Sequence, residues 1–397
     1  MNSFRDSTKR ILYRLVAARP DPSPRGRGAP VVVGFMRTPS GVGETARLMF
    51  DAFDRLGLEP GYVDLSHRFQ PNTMLERFEH PASKSAGKGP LIIHANPADF
   101  AAVMTFLGRR LICDRYVIGY WAWELERLPK IWRTAEQYVH EIWVPSTFIA
   151  NCAGPQCAKP VKVVPPPVVR HAVKPNRARF DLPANDFTFL AVADSRSSLE
   201  RKNILGAIKA FKKVSQSKGN LRLALKIKDL QSLRASVRDE LRREILDPSI
   251  QVIETFLSER EMACLISSVD AILSLHRSEG FGLVSAQAIM LGKPVIATDW
   301  SGSKDFLNAE NSALVPMSLI AVNDPNGIYH DGRWAEPDID VAAAQIAQLA
   351  TDKSYRTAIS QAAQRTAARF FDLQKWRETL EPDFLYGLCE PSSSELE

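Results

Sequence analysis

Short apolar runs alternate with stretches of helical periodicity in the first half of the chain. Five apolar runs predict β-strands at residues 30–35, 61–65, 91–94, 116–121 and 141–144. Apolar positions at helical spacing predict helices between them, at residues 42–56, 98–107 and 128–139. Alternating strands and helices are typical of βαβ units, so this half is predicted to form a parallel sheet with helices on both faces.

The same alternation resumes in the second half. Further strands are predicted at residues 187–193, 221–227, 250–253, 271–275 and 294–298. Further helices are predicted at residues 204–214, 230–245, 341–351 and 355–371. The predicted fold class is α/β, with two Rossmann-like, doubly wound parallel sheets. Ligands bind at the carboxyl ends of such strands, so a cleft between the two halves is the expected site.

A proline-rich stretch separates the two halves. It begins at Pro165, continues to Asn185 as a polar and basic segment, and is typical of a hinge. With 397 residues the chain exceeds what one hydrophobic core usually holds, which also indicates two domains. Five segments are predicted: a basic N-terminal extension at 1–28, a first domain at 29–170, a hinge at 171–185, a second domain at 186–370, and a C-terminal helix with an acidic tail at 371–397.

Residues 1–19 have the pattern of a basic amphipathic helix. Leu12, Leu15 and Val16 fall on one side, while arginine and lysine side chains supply positive charge. One interpretation is a helix that lies on an anionic membrane, where each basic residue contributes roughly 1 kcal/mol. The other is a helix that packs on the first domain or frays. Both interpretations stand at this point.

The composition is that of a soluble globular protein, with 45% hydrophobic and 24% charged residues. No apolar run approaches the roughly 20 residues that span a bilayer, and Arg14 interrupts the one stretch that resembles a secretory signal. The five cysteines form no CxxC pair, which favours reduced thiols in the cytoplasm over a zinc site. The net charge of +6 is scattered along the chain, so nucleic acid is not a predicted partner.

The most informative run begins at residue 274 and reads as strand, glycine loop, helix, strand and second glycine loop. Gly280 and Gly282 precede a helix predicted to begin near Leu283, and glycines allow a ligand to approach the backbone. The free N–H groups at a helix start also attract phosphate. Glu279 lies at the carboxyl end of the strand, where a carboxylate can hold ligand hydroxyls.

This run resembles the signature of family 4 retaining glycosyltransferases, which have the GT-B fold. The matching residues are Glu279, Gly280, Phe281, Gly282, Gly292, Pro294, Val295, Ile296, Ala297 and Thr298. The resemblance implies that Glu279 binds hydroxyls of the donor sugar and that the backbone from Phe281 to Leu283 contacts the donor. It also implies that Gly302 lies beside the donor diphosphate, with the acceptor on the first domain and the nucleotide sugar on the second.

One position departs from the family pattern. Gln287 stands where the family has a second glutamate, which grips the ribose hydroxyls of the nucleotide. A glutamine amide keeps an acceptor oxygen and adds donors, so a ribose contact can survive. Charge-assisted hydrogen bonds are roughly twice as strong as neutral ones, so weaker nucleotide binding is the expected consequence.

A second match lies at residues 194–203. The family places an arginine and a lysine here, about six positions apart, against the donor diphosphate. Arg196 and Lys202 fit, and Arg201 competes with Arg196 for the first role. The leaving diphosphate gains charge in the transition state, and fixed cations aimed at it contribute roughly 10²–10³ in rate each and remove the need for a metal ion. Without the resemblance, the same residues indicate a solvated helix start.

The first half matches the family less specifically. Gly41 and Gly43 open the first predicted helix and resemble the glycine loop that meets the donor phosphate. Many relatives have a histidine after the fourth strand, where Trp123 or Glu124 stands here. Glu124 is a candidate for a sugar or acceptor contact, or else an acid at a helix N-terminus. Trp123 either stacks on a sugar or packs in the core.

Other polar groups have structural explanations. His94 and His276 lie near strand ends, where a structural role is the more frequent one. Asp338 and Asp340 imitate a metal-binding DxD motif, but they follow Pro337 at a predicted helix start, so helix capping explains them better. Neither a catalytic metal nor a cofactor is therefore expected.

The resemblance implies a metal-independent retaining hexosyltransferase that uses a nucleoside-diphosphate sugar and a glycan or lipid-linked saccharide acceptor. Bacterial relatives with a Gly-Tyr-Trp segment tend to build surface polysaccharides, which suggests GDP- or UDP-sugar donors, with mannose first. A cytoplasmic enzyme is expected, and it is peripheral at the inner face of the membrane if the membrane interpretation of residues 1–19 holds. Two alternatives remain: a nucleotide-sugar epimerase of related fold, and a pseudo-enzyme or partner subunit that binds a nucleotide sugar without turnover.

Overall fold

The computed structural model describes residues 12–70, 78, 88–194, 197–216, 219–228, 230–233, 235–325, 327–380 and 384. Contacts divide the chain into two units. The first comprises the chain up to Trp123, Arg127–Pro167 and the chain from Leu373 onward, and the second comprises Glu124–Glu126 and Val168–Asp372. A three-residue segment of the first half therefore packs within the second unit.

The first unit is built on a parallel six-stranded sheet with the order β2-β1-β3-β4-β5-β6. Its strands are β1 Val31–Gly34, β2 Gly61–Asp64, β3 Leu91–His94, β4 Val117–Tyr120, β5 Glu141–Val144 and β6 Val161–Val163. Its helices are α1 Gly41–Arg55, α2 Ser66–Phe69, α3 Phe100–Ile112 and α4 Thr147–Ala153. The strands β1, β3, β4 and β5 are buried along their length, as expected inside a parallel sheet.

The segment predicted as an α-helix at residues 128–139 has a different form. It is a 3-10 helix over Lys130–Tyr138, and its buried residues are Trp132, Ala135 and Tyr138. This spacing of three matches the period of a 3-10 helix and not the 3.6 residues of an α-helix. The α-helix prediction is wrong here because the packing of Trp132, Ala135 and Tyr138 at every third position sets the period.

The second unit repeats the architecture with the parallel order β12-β11-β10-β7-β8-β9. Its strands are β7 Phe187–Asp194, β8 Leu221–Lys228, β9 Ile250–Ile253, β10 Ala271–Ser274, β11 Val295–Thr298 and β12 Ala313–Val315. Its helices are α5 Leu199–Lys202, α6 Ile204–Ser215, α7 Ala235–Glu244, α8 Glu259–Ser268, α9 Leu283–Met290, α10 Ile339–Thr351 and α11 Lys353–Phe370. The ten predicted strands of the two halves are confirmed, each within one residue at either end.

An antiparallel hairpin lies between β12 and α10. Its strands are β13 Met317–Ala321 and β14 Arg333–Pro337. The apolar pattern does not predict the hairpin, because Ser318 is the one polar residue in β13 and its sequence does not alternate between apolar and polar residues. The loop between these strands belongs to the second unit.

The segment predicted as a hinge at 171–185 packs within the second unit. Arg177 donates to the Asp186 carbonyl and to the Thr188 hydroxyl, each at 2.7 Å, and pairs with Asp270 at 3.2 Å. Residues 186 and 188 lie at the start of β7. These bonds fix the segment at the amino end of the central strand β7.

The chain returns to the first unit through α12, Leu373–Glu378. Trp376 is 4% exposed, its indole N–H donates to the Pro165 carbonyl at 2.8 Å, and its ring lies 5.6 Å from that of Phe53. This helix therefore belongs to the core of the first sheet. Within the described ranges, no helix combines the length and the apolarity needed to cross a bilayer.

Candidate functional site

The loop after β10 places Glu279. The strand β10 ends at Ser274 and α9 begins at Leu283, so Glu279 lies beyond the carboxyl end of a central strand. Gly282 has a φ of 97°, a left-handed conformation that glycine adopts without steric cost, and turns the chain into α9. Glu279 is only 8% exposed. The sequence thus puts a buried carboxylate where ligands approach sheets of this kind.

A turn that follows β11 clasps the backbone of Glu279. The Glu279 amide donates to the Ser301 hydroxyl at 2.8 Å, and the Gly302 amide donates to the Glu279 carbonyl at 2.9 Å. A Cβ on residue 302 would lie 2.2 Å from the Gly280 carbonyl oxygen, so only glycine allows this approach. Gly302 therefore has a structural reason to be glycine, apart from any ligand.

The short helix α5 places Arg201 and Lys202. Ser198 caps it by accepting from the Arg201 amide at 3.1 Å, and Asn203 ends it with a φ of 53°. The Asn203 side chain donates to the Leu275 carbonyl at 2.9 Å, which ties the end of α5 to the end of β10. This link holds both cations beside the loop that carries Glu279.

Both cations pair with the same carboxylate. Arg201 Nη1 lies 3.2 Å from Glu279 Oε2, and the Lys202 ammonium contacts Glu279 Oε1. The exposed fraction of the side chain is 4% for Arg201 and 22% for Lys202. An incoming anion can therefore reach Lys202, whereas Arg201 is enclosed.

The charge of Glu279 depends on these cations. Burial alone raises its pKa, but Lys202 and then Arg201 outweigh burial and lower the pKa from 4.5 to about 2. Burial lowers the pKa of His276 to about 4, so its imidazole is neutral near pH 7. The His276 Nε2 lies 3.3 Å from the Ser303 hydroxyl, which is consistent with a structural role for this histidine.

Glu124 and Tyr329 complete the cluster around Arg201. Glu124 Oε1 lies 3.8 Å from Arg201 Nη2, and the Tyr329 hydroxyl donates to Glu124 Oε2 at 2.9 Å. The Tyr329 ring centroid lies 5.7 Å from Arg201 Cζ. Burial lowers the pKa of Arg201, but Tyr329, Glu124 and Glu279 outweigh burial and raise it. No helix begins at Glu124, so the alternative of a helix N-terminal acid does not apply.

Sequence reasoning missed Tyr329. The residue lies in the loop between β13 and β14 and is 5% exposed. Nothing in the sequence near it carries a family motif or a periodic pattern. Only the folded hairpin brings this ring to Arg201, so no local signal could have identified it.

The residues of the predicted donor loop divide into side-chain and backbone roles. The Phe281 ring packs on Phe306 and Phe371, with centroids 5.1 Å and 6.3 Å away. The resemblance assigns a contact with the donor to the backbone of Phe281, together with that of Gly280 and of Leu283 at the start of α9. Gln287 is buried in the second turn of α9.

The other predicted site residues belong to the first unit or lie outside the described residues. Gly43 donates to Ser40 Oγ at 3.2 Å in the first turn of α1, which begins at Gly41. Trp123 packs on Trp132 with ring centroids 4.9 Å apart and donates to the Arg127 carbonyl at 2.8 Å, as its packing interpretation expects. Arg196 lies outside the described residues.

The remaining polar groups have structural partners. Asp338 caps α10 by accepting from the amides of Asp340 and Val341 at 2.9 Å and 3.1 Å, so the capping interpretation is confirmed. The His94 Nδ1 lies 3.3 Å from the Thr45 hydroxyl, and burial lowers the pKa of His94 to about 3. The part of the chain that the structure describes holds no group of three or more metal-ligating side chains.

A family model described as Family 4 Glycosyltransferase in conflict systems matches residues 146–381. This range covers more than half of the chain and includes Arg201, Lys202 and Glu279. Among the curated proteins, no sequence matches the chain.

Several solved structures resemble the fold. Alr3699/HepE from Anabaena, solved in complex with UDP-glucose, matches with a TM-score of 0.62 and 15% identity over 91% of this chain and 100% of that chain. Sucrose-phosphate synthase from Thermosynechococcus elongatus matches with a TM-score of 0.63 and 13% identity over 91% and 98% of the two chains. A glycosyltransferase from Rickettsia africae has a TM-score of 0.58, 15% identity and the same coverage. At these identities the likeness establishes the fold.

Gly302→Ala tests the backbone clasp. The added Cβ meets the Gly280 carbonyl, so we expect a loss of roughly 1–3 kcal/mol in the free energy of unfolding, measured by chemical denaturation. Gly219→Ala is the matched control, because a Cβ at residue 219 has no neighbour within 4 Å. Equal stability of the two variants would contradict the close approach at Gly302.

The stability contributed by Glu279 depends on pH. Its folded-state pKa is lowered, so the contribution is present above about pH 4.5 and is lost as the pH falls towards about 2. We expect the difference in unfolding free energy between the wild type and Glu279→Gln to be on the order of 3 kcal/mol at neutral pH and to shrink in acid. Urea denaturation across this range measures it. The exposed Glu310→Gln control should differ from the wild type by less than about 0.5 kcal/mol, and a pH-independent difference at Glu279 would refute the ion pairs.

Proposed function

The chain belongs to the family 4 glycosyltransferases of conflict systems and has the GT-B fold, and on that premise we propose that it transfers a hexose from a nucleoside-diphosphate sugar to a glycan or lipid-linked acceptor. We further propose that the transfer retains the anomeric configuration and uses no catalytic metal. The observation that carries the proposal is the ionised Glu279 between Arg201 and Lys202, beyond the carboxyl end of β10.

The cluster can hold both ends of a donor. A carboxylate kept ionised at neutral pH accepts hydrogen bonds from sugar hydroxyls, and the accessible ammonium of Lys202 can move from Glu279 to a phosphate oxygen. Arg201 stays enclosed beside Glu279, so the carboxylate keeps one compensating charge when Lys202 leaves it. This division supports a donor site in which diphosphate and sugar bind to neighbouring residues.

Retention follows from attack on the face that the diphosphate leaves. The bond from the anomeric carbon to the phosphate oxygen breaks, and a bond from the acceptor oxygen forms on the same face. The acceptor proton passes to the departing phosphate oxygen, so atoms and charge balance without an external base. A fixed cation beside the diphosphate stabilises the charge that develops there, which supports a metal-free reaction.

The donor is a GDP- or UDP-hexose in this proposal. Mannose is the candidate that the sequence suggests, and the structure of Alr3699/HepE in complex with UDP-glucose supports including glucose. Gln287, in place of a second glutamate, keeps a pseudo-enzyme that binds the nucleotide without turnover as the alternative. Surface polysaccharide synthesis is the process we propose for this activity.

Turnover of UDP-glucose and GDP-mannose, with EDTA present, tests the proposal. We expect release of the nucleoside diphosphate, faster with a lipid-linked saccharide than with water alone. Lys202→Ala and Glu279→Ala should each lower the rate by at least about 10²-fold, because each removes a group that holds the donor. Lys209→Ala is the matched control, since Lys209 is an exposed lysine on the neighbouring helix α6.

Several outcomes would contradict parts of this proposal. Binding of the donors without turnover would favour the pseudo-enzyme. Loss of activity in EDTA would refute metal independence, and NMR of the product showing the opposite anomer would refute retention. Unchanged rates in both alanine variants would show that the donor binds at another site.

We also propose that the N-terminal region holds the protein at the inner face of the cytoplasmic membrane. Residues 12–16 are helical, and the exposed fractions of Leu12, Leu15 and Val16 are 59%, 78% and 59%. Arg14, in the same turn, donates to the Thr134 hydroxyl at 3.3 Å, so the apolar side chains point away from this anchor. Exposed leucines beside basic residues suit an anionic bilayer surface. Residues 1–11 lie outside the described residues.

Vesicle flotation with phosphatidylglycerol and phosphatidylcholine tests this attachment. We expect binding to the anionic vesicles only, and at least roughly tenfold weaker binding for Leu15→Glu, because a buried leucine contributes about 1.5–3 kcal/mol. Leu246→Glu is the matched control, since Leu246 is 81% exposed and distant in sequence. Equal flotation of the two variants would exclude this helix as the attachment.

A further inference from the structure

Arg201 faces two carboxylates that have different geometries. Glu279 Oε2 lies 3.2 Å from Arg201 Nη1, within hydrogen-bond distance. Glu124 Oε1 lies 3.8 Å from Arg201 Nη2, which is an ion pair without a hydrogen bond. Arg201 Nη2 instead donates to the Ser197 hydroxyl at 2.8 Å, so Glu124 is a second carboxylate close enough to compete for the guanidinium.

Tyr329 is the group that holds Glu124. Its hydroxyl donates to Glu124 Oε2 at 2.9 Å, while its ring covers the guanidinium of Arg201. The Glu124 carbonyl also accepts from the Ser278 hydroxyl, which fixes the backbone of the short segment 124–126. The Glu124 carboxylate thus accepts a hydrogen bond from the Tyr329 phenol, while its contact with Arg201 remains an ion pair without a hydrogen bond.

The hairpin of β13 and β14 keeps Tyr329 in place through Arg277. Arg277 Nε donates to Glu336 at 2.7 Å, its guanidinium lies 5.6 Å from the Trp334 ring, and its carbonyl accepts from the Ala335 amide at 2.8 Å. The Arg277 amide in turn donates to the Arg201 carbonyl at 2.7 Å. The hairpin and the helix α5 therefore share one anchor, and the loop with Tyr329 has a fixed position relative to Arg201.

We propose that Tyr329 is a positioning residue of the donor site: by binding Glu124, it prevents this carboxylate from taking Arg201, so that Arg201 remains on Glu279. This inference rests on the proposed function only for its effect on turnover. Tyr329 does not touch the donor in this role. Its effect passes through Glu124 to Arg201, and from Arg201 to Glu279.

The hydroxyl of Tyr329 holds Glu124, whereas its ring covers Arg201, so the two can be tested separately. Tyr329→Phe keeps the ring over Arg201 but releases Glu124, which then draws the guanidinium away from Glu279. Glu124→Gln removes the competing charge, so it should leave Arg201 on Glu279 whether or not the hydroxyl is present. The double variant should therefore recover what Tyr329→Phe loses, which a purely structural role for Tyr329 does not predict.

The first measurement needs no donor. Glutamate labelled with ¹³C at the side-chain carboxyl reports the ionisation of Glu279, which Glu279→Gln assigns. Lys202, Arg201 and His276 face this carboxylate, with Glu124 and Tyr329 beyond Arg201. In the wild type we expect no titration of Glu279 between about pH 7 and pH 4. In Tyr329→Phe its pKa should rise by roughly one unit, and in the double variant it should return to the wild-type position.

The second measurement is kcat/KM for UDP-glucose or GDP-mannose, whichever the wild type turns over. We expect about a tenfold loss when Tyr329→Phe is made in the wild type, and a loss of less than about threefold when it is made in Glu124→Gln. Ile328→Ala is the control within the same loop, because Ile328 is 41% exposed and lies next to Tyr329. It should match the wild type in both measurements.

The outcomes separate this inference from the proposed function. Absence of turnover in the wild type refutes the function, while the carboxyl titration still tests the role of Tyr329. An unchanged Glu279 titration in Tyr329→Phe overturns the inference. A change that Glu124→Gln fails to reverse also overturns it, because the effect would then not pass through Glu124.

Discussion

A buried carboxylate that stays charged imposes the strongest constraint on the second unit. Glu279 is only 8% exposed, and taking such a charge out of water costs several kcal/mol unless cations offset the loss. Arg201 and Lys202 supply that offset from one short helix, and the bond from Asn203 to the Leu275 carbonyl keeps this helix against the end of β10. The clasp by Ser301 and Gly302 fixes the backbone of Glu279. Gly302 is required by this close backbone contact, apart from any ligand.

Adjacent cations acquire different roles in this arrangement because their surroundings differ. Lys202 is accessible and holds Glu279 alone among the described residues, so a diphosphate can attract it. Arg201 is enclosed by Tyr329, Glu124, Glu279 and the Ser278 carbonyl, so it serves to hold other groups. In the donor site that we propose, one charge responds to the leaving group while the carboxylate that binds the sugar keeps its own compensation. The hairpin that carries Tyr329 is the part of the fold that maintains this difference.

Much of the fold could be predicted from the sequence because buried parallel strands are nearly continuous apolar runs. The strands β3, β5 and β9 occupy the predicted residues, and Asp338 caps α10 as its position after Pro337 indicated. The helix predicted at residues 128–139 was wrong, since packing of Trp132, Ala135 and Tyr138 gives a period of three. The hairpin β13–β14 was missed because the sequence of its first strand does not alternate between apolar and polar residues. Local periodicity reflects burial, so secondary structure predicted from it is wrong or missing where tertiary contacts or solvent set the conformation.

The sequence by itself determined the family, two Rossmann-like units and the residue types at the site, because Glu279, Lys202 and the glycine loops are local motifs whose spacing carries their meaning. The backbone reasons for Gly282, a positive φ, and for Gly302, a close contact with the Gly280 carbonyl, came from the structure. Only the tertiary structure decided that Arg201 is enclosed, that Glu124 faces it, and that Tyr329 stands between the two carboxylates. The physical reason is that ion pairs and ring contacts join residues far apart in the chain. Their distances depend on how the loops fold, which no local pattern of residues records.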